Sequence, residues 1–271
     1  MFSEFKEMFK NLNEITSKDL MKKLFGIDME KPFENVKKIL CIQPHPDDCE
    51  IAIGGLLAKL SLEKREIIYL TLTDGCFGTN DPSIKPEQLA KIRKEEQERA
   101  AKIIGVKKLL WLNYKDTELP HSPNVRNEII SIIRKEKPDV VFAPDAWLPY
   151  EVHPDHRNAG LLATEAVFFS SLPNINRVDL EKGLEPYEVP LIGLYYTSKP
   201  NFIIDISDTF NIKLNALKEH KSQFQNNWEF LVLYLQAIGA FYGKKINTDC
   251  AEALKIIPKI LLHIVPIVEI I

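Results

Sequence analysis

The chain has 271 residues, 45% of them hydrophobic, and its 35 basic and 38 acidic side chains leave a formal net charge of -3. That length and apolar content suffice for one substantial core. The near balance of charge, with no Lys/Arg cluster interleaved with aromatics, argues against nucleic acid and an anionic membrane surface as partners.

The N-terminal stretch mixes Lys, Glu and Asp through short apolar runs, without an h-region or a small-residue cleavage site. It reads as a helical segment over 1–35 rather than a secretory signal. Four cysteines, Cys41, Cys49, Cys76 and Cys250, show no C-x-x-C pair and no regular spacing. With no secretory signal, this points to reduced thiols and a cytoplasmic protein.

Short runs rich in Ile, Leu and Val at Lys38–Ile42, Glu66–Leu72, Lys108–Leu112 and Val140–Ala143 read as strands buried on both faces. Between them, Ile51–Glu63, Pro86–Ile104 and Asn124–Glu136 have the length and spacing of amphipathic helices, with Pro86 suited to a first helical position. The alternation predicts right-handed βαβ crossovers, and so an α/β fold with a Rossmann-like, mostly parallel sheet flanked by helices.

After Ser170 a Pro-containing connection leads to apolar runs at Leu191–Tyr196 and Phe202–Ile206, either of which could extend the sheet. Helices follow at about Thr209–Phe224 and Glu229–Tyr242, as a helical C-terminal extension. The run from Ile256 to Ile271 is broken by Pro258, Lys259, His263, Pro266 and Glu269 and is too short to cross a bilayer. It is expected to be buried, within the subunit or between subunits. The whole, 1–271, reads as one domain with its core over about 37–256 and an apolar tail at 257–271.

Ligands of open parallel sheets bind at the carboxyl ends of strands, which directs attention to the loops Pro44–Glu50, Thr73–Gly78, Asn113–Leu119 and Asp145–His156. The first places His45, two adjacent carboxylates (Asp47 and Asp48) and Glu50 within six positions. The last, His153-Pro154-Asp155-His156, adds two imidazoles with a carboxylate between them. Asp residues after a strand also serve as helix N-caps, and either segment alone would be ambiguous. Together they offer two His and one carboxylate, a set that zinc or non-haem iron accepts while keeping positions open for water and substrate. Adjacent Asp side chains diverge, so one can bind metal while its neighbour acts as general base.

These segments, Pro44-His45-Pro46-Asp47-Asp48-Cys49-Glu50 and His153-Pro154-Asp155-His156, resemble the hallmarks of the LmbE-like, or PIG-L, N-acetylglucosaminyl deacetylases. The resemblance extends to Thr73–Gly78, to the helix bearing Arg93 and Glu96, and to His220-Lys221-Ser222-Gln223. Over roughly residues 37–256 the chain looks most like the archaeal diacetylchitobiose deacetylases. The resemblance implies one zinc per chain, held by His45, Asp48 and His156. It further implies Asp47 as general base, His153 at the developing oxyanion, Asp155 orienting or charge-tuning His153, and Arg93 and Asp116 on sugar hydroxyls. Glu50 is expected to support the site rather than bind metal. Some relatives carry a Tyr just before the first His of the later motif, where this chain has Val152 with Tyr150 nearby.

The implied reaction is hydrolysis of an N-acetyl group on an acetylated amino sugar, diacetylchitobiose above all, without a covalent intermediate. The implied assembly is a homo-oligomer, a hexamer being the form the resemblance suggests. Two other readings compete. A metal-dependent phosphoesterase would call for a second metal, and a non-catalytic sugar-binding protein would have no use for Asp47 and His153.

Overall fold

The computed structural model describes residues 19, 22, 23, 28–265 and 268. Most of the expected N-terminal helical segment and the end of the apolar tail lie outside these residues. Seven strands form the centre: β1 (Lys38–Gln43), β2 (Glu66–Thr73), β3 (Lys108–Tyr114), β4 (Val140–Pro144), β5 (Leu191–Tyr195), β6 (Phe202–Asp205) and β7 (Ala251–Pro258). Their order across the sheet is β3-β2-β1-β4-β5-β7-β6. The first five are parallel, and β7 runs antiparallel to both β5 and β6.

Layers of helices cover the sheet. The crossovers are α1 (Asp48–Leu62), α2 (Pro86–Ile104), α3 (Pro123–Glu136) and α4 (Pro154–Phe169), followed by short α5 (Val178–Glu181), α6 (Phe210–Leu217), α7 (Lys221–Phe224) and long α8 (Trp228–Ile246). Covering both faces explains why β1 and β4 read as continuous apolar runs: Ile39, Leu40, Cys41 and Ile42 are fully buried, as are Val140 to Ala143.

Three features depart from the sequence reading. The expected helix over Thr209–Phe224 is two, α6 and α7, with His220 between them. Strand β7 was not anticipated. Its Ile256 and Ile257 lie in the sheet, so the apolar tail begins two residues later than the 256/257 boundary, and beyond it Leu261 is buried while Ile260 and Ile264 are exposed. The C-terminal portion is therefore a mixed addition that widens the sheet and is not helical throughout. Glu252 and Lys255 obscure β7 in the sequence, yet both are buried.

The Glu252 carboxylate accepts from the Gly55 and Leu56 amides at 3.0 and 2.7 Å and from Lys213 Nζ at 2.6 Å. Helix α1 is kinked at Ile53 (φ -136°, ψ 21°), so those two amides open a second helical segment. A helix start carries free N–H groups, and here a carboxylate from the last strand satisfies them.

Strand order reverses between β1 and β4: the chain builds outward from β1 through β2 to β3, then returns to β1's other side. Such a switch point opens a crevice at the carboxyl ends of the strands. The loops that leave β1 and β4 are the two carrying His45–Asp48 and His153–His156, and adjacency of their strands brings them together.

Candidate active site

Asp47 and Asp48 follow β1 at the start of α1. Their carboxylates diverge as neighbouring side chains must. Asp48 turns toward the imidazoles, with Oδ2 at 3.4 Å from His45 Nδ1 and Oδ1 at 3.4 Å from His156 Nε2. Ligands at about 2.0–2.2 Å on a tetrahedral ion lie about 3.3–3.6 Å from one another. Each Asp48 oxygen thus stands at ligand-like distance from one imidazole, and one donor atom from each of the three residues lies within 4.8 Å of the other two, close enough to converge on one cation. Two His and one carboxylate, all set in a crevice, fit a zinc-type ion.

His45 also shows how its other nitrogen is used. Nε2 lies 3.1 Å from Asp116 Oδ1 and 3.2 Å from Asp155 Oδ2. A ligating histidine commonly gives its second N–H to a carboxylate, which fixes its tautomer and ring orientation. Burial pulls His45 down, but Asp116, Asp155 and Asp48 outweigh it and raise the ring well above the usual imidazole range. For Asp48 burial pushes up, and the charges of His156 and His45 prevail and lower it. A cation among these carboxylates would take the place of the imidazole protons.

Asp155 is fully buried, and its carboxylate accepts from the Thr117 and Leu119 amides at 2.7 and 3.1 Å in addition to facing His45. Toward His153 it acts in two ways: its backbone N–H donates to Nδ1 at 3.3 Å, and its negative charge opposes the lowering of that ring's pKa. That bond makes Nδ1 the acceptor, so the neutral His153 ring carries its proton on Nε2. Nε2 faces Asp116 Oδ1 at 3.9 Å. Burial and the neighbouring His45 and His156 lower the His153 pKa. His153 is thus most stable as a neutral donor.

Asp47 is buried, and its backbone is left-handed at φ 117°, ψ -23°. Burial raises its carboxyl to about 7 against the opposing charge of Arg93, whose Nη2 lies 3.1 Å from Asp47 Oδ2. Arg93 is only 4% exposed, and it also donates to the Pro46 carbonyl at 2.7 Å and the Gly75 carbonyl at 3.0 Å. Gly75 permits this approach: its φ is +63°, and a Cβ there would stand 2.5 Å from Arg93 Nη1. The guanidinium is directed at the loop that carries Asp47.

Asp116, held by the Phe77 amide at 3.0 Å, opposes His45 and His153 from the β3 loop. For its carboxyl, too, burial pushes up and the hydrogen bond and charge of His45 prevail, lowering it to about 2.

Three participants were not singled out in the sequence. Glu151 accepts from the His153 amide at 2.8 Å and places Oε2 3.4 Å from His156 Nδ1. Its position two residues before the later motif was the available signal. Tyr196, just past the carboxyl end of β5, donates to the Asp48 carbonyl at 3.2 Å and to its Oδ1 at 3.4 Å, and its ring stacks on His156 at 5.9 Å. The rule that sites lie at strand ends applies to β5 as to β1. The tyrosine of the site is therefore this one, whereas Tyr150 is fully exposed. Gln97 is the third, hydrogen-bonded to the Asp47 amide.

Known proteins resemble this chain in sequence and in fold. The family profile described as PIG-L: GlcNAc-PI de-N-acetylase matches residues 40–167. The chain is 48% identical to a diacetylchitobiose deacetylase of Thermococcus kodakarensis, over 98% of this chain and 99% of that one. It superposes with a TM-score of 0.91 on an inhibitor complex of N,N'-diacetylchitobiose deacetylase from Pyrococcus horikoshii, at 48% identity and with 98% of each chain covered. A hydratase of Pseudomonas putida, GalB, shares the fold at TM-score 0.71 and 19% identity, covering 82% of this chain and 96% of that one. That last likeness speaks for architecture only, since one fold hosts unrelated chemistries.

Proposed function

The chain belongs to the PIG-L (GlcNAc-PI de-N-acetylase) family and is a deacetylase, and on that premise we propose that it hydrolyses the N-acetyl group of diacetylchitobiose, using one zinc ion held by His45, Asp48 and His156. One observation carries the reading: a buried carboxylate, Asp47, stands beside a two-His, one-Asp donor set with ligand-like spacing. A bound zinc ion supplies a Lewis acid and makes water nucleophilic near neutral pH.

The residues divide the remaining work. Asp47 accepts a proton from the attacking water, and a carboxyl poised at about 7 suits that task near neutrality. His153 offers Nε2–H to the acetyl oxygen as negative charge develops on it, and a neutral ring can do so without first gaining a proton. The proton on Asp47 then passes to the sugar nitrogen as the C–N bond breaks. Water and amide give acetate and amine, and no side chain is acylated.

Asp155 orients His45, and Tyr196 hydrogen-bonds Asp48. Asp116 lines the crevice beside His45 and His153, where it can accept a sugar hydroxyl. Arg93 acts chiefly on the Asp47 loop, where Nη2 holds the Pro46 carbonyl and the Asp47 carboxylate while Nη1 holds the Gly75 carbonyl of the β2 loop.

The test is to load the protein with zinc, offer it diacetylchitobiose, N-acetylglucosamine and acetamide, and assay acetate and free amine. Rapid turnover of the disaccharide over acetamide, lost on chelation and restored by zinc, is the expected result. Equal rates on all three would remove the sugar assignment. Two metals per chain in the active protein would favour the phosphoesterase reading, because His45, Asp116, His153 and Asp155 form a second group of potential ligands.

A further inference from the structure

The proposed general base sits on backbone that residues with a Cβ rarely adopt, φ 117° and ψ -23° at Asp47. Such a conformation persists only where its surroundings over-determine it. Here they do so through a single peptide group. The Pro46 carbonyl oxygen accepts from Arg93 Nη2 at 2.7 Å, and the Asp47 N–H of the same peptide donates to Gln97 Oε1 at 3.0 Å. Arg93 and Gln97 are four residues apart on α2, hence on one face of the helix. One turn of helix thus grips both ends of the Pro46–Asp47 peptide plane.

Gln97 is itself fixed. It is fully buried, its Oε1 also accepts from Gln43 Nε2 at 2.9 Å, and its Nε2 donates to Glu50 Oε1 at 2.7 Å. The amide can therefore face only one way, because exchanging its ends would set a donor against the Asp47 N–H and an acceptor against Glu50. Gln43 is held in turn by the Cys49 amide at 3.1 Å and Thr71 Oγ1 at 2.9 Å.

From this geometry we infer that Gln97 is a positioning residue for the reaction: by accepting the Asp47 N–H it sets the peptide plane, and with it the direction in which the Asp47 carboxylate meets water. None of its hydrogen bonds goes to the side chains of His45, Asp48 or His156. The inference rests on the deacetylase reading above, and it separates from that reading by experiment.

The test uses the full-length, zinc-loaded protein with diacetylchitobiose. Gln97→Met removes the acceptor with little change of volume. Expected are kcat lower by about 10- to 100-fold, in line with the roughly 10²-fold cost of misplacing a catalytic group by about 1 Å, together with KM within about twofold and zinc content unchanged. The decisive comparison is a double-mutant cycle. In an Asp47→Asn background, Gln97→Met should alter the residual rate by less than about twofold, because the residue has nothing left to position.

The same loss in both backgrounds would overturn the inference, as would wild-type kcat in the single variant or loss of zinc along with the rate. Should Gln97→Met not fold, Gln97→Asn withdraws the same amide by one methylene and passes through the same cycle with the same outcomes. A wild-type protein that releases no acetate from the disaccharide would instead remove the deacetylase reading, and the inference with it.

Discussion

The Asp48 carboxylate faces His45 and His156, whereas its neighbour's turns to Arg93 from a left-handed backbone at Asp47. Replacing Asp47 with Asn should leave metal content near one zinc per chain and lower turnover by roughly 10²–10⁴-fold, the usual consequence of losing a general base. Asp48→Asn should lose zinc. Metal analysis of the two purified variants checks both, and the opposite pattern would exchange their roles. His220 offers a different measurement. It is fully buried, and burial, aided by Arg93 and Arg99, lowers its pKa to about 3. Above about 6.5 the ring is neutral in folded and unfolded chains alike. As pH falls from 6.5 toward 3 only the unfolded chain takes up the proton, so stability declines by up to about 1.4 kcal/mol per pH unit. Urea midpoints between pH 7 and 4.5 should therefore fall less steeply for His220→Leu than for the parent, and equal slopes would show that His220 titrates without effect. At this scale the candidate ligand residues were readable because His and Asp cluster densely after two strands. Gln97 was not. Its signal was subtle: along α2, Leu89, Arg93, Gln97, Ala100 and Ile104 share the buried stripe, and polar residues on an inward face need partners.

Among the elements, α3 and the segment after α4 are joined by one side chain. Arg134, almost fully buried, donates to Asp179 at 2.9 Å and to the carbonyls of Ser170, Leu172, Ile175 and Asn176. Removing one partner of a buried ion pair typically costs about 3–5 kcal/mol. Arg134→Met should lose stability on that order in urea unfolding, while zinc content and kcat of the remaining folded protein stay near those of the parent. A loss below about 1 kcal/mol would mean that the carbonyls find water instead. Helix α4 makes the complementary case, because its packing serves the site. A Cβ on Gly160 would lie 2.5 Å from the Pro144 carbonyl oxygen, so only glycine lets the helix bearing His156 settle against the end of β4. The βα alternation up to α4 was legible because buried parallel strands and amphipathic helices have distinct periods. Strand β7 was not, since Glu252 serves a helix start far away in sequence, a need that no local pattern announces.

For the molecule as a whole, the surface of α8 is the conspicuous departure from a solvated exterior. Leu235, Gly239 and Gly243 face inward, while Phe230, Leu233, Tyr234, Ile238 and Phe241 are exposed. A helix apolar on its outer face calls for cover. No helix among the described residues is long and apolar enough to cross a membrane, and we expect that a second copy of the chain provides the cover, consistent with the homo-oligomer anticipated from the sequence. Light scattering should give a multimer for the parent, and Phe230→Glu combined with Phe241→Glu should reduce the mass while preserving the fold by circular dichroism. A monomeric parent would leave α8 without that explanation.

The grip of Glu252 on α1 also has a consequence for how the protein is made. Helix α1 carries a proposed metal ligand at its first residue, whereas the carboxylate that completes its kinked middle belongs to a strand that follows far later in the chain. Strand β6 likewise waits, for its neighbour in the sheet is β7. During elongation the earlier βα units can assemble one after another, but the ligand-bearing helix gains its last partner only when β7 arrives. The interval between those events is a property of translation speed: at about 5–20 residues per second, the roughly 200 residues that separate the two segments take on the order of 10–40 seconds to appear. Until then the kink of α1 lacks the carboxylate that completes it, so the proposed metal site should hold its ion firmly only once β7 has joined the sheet.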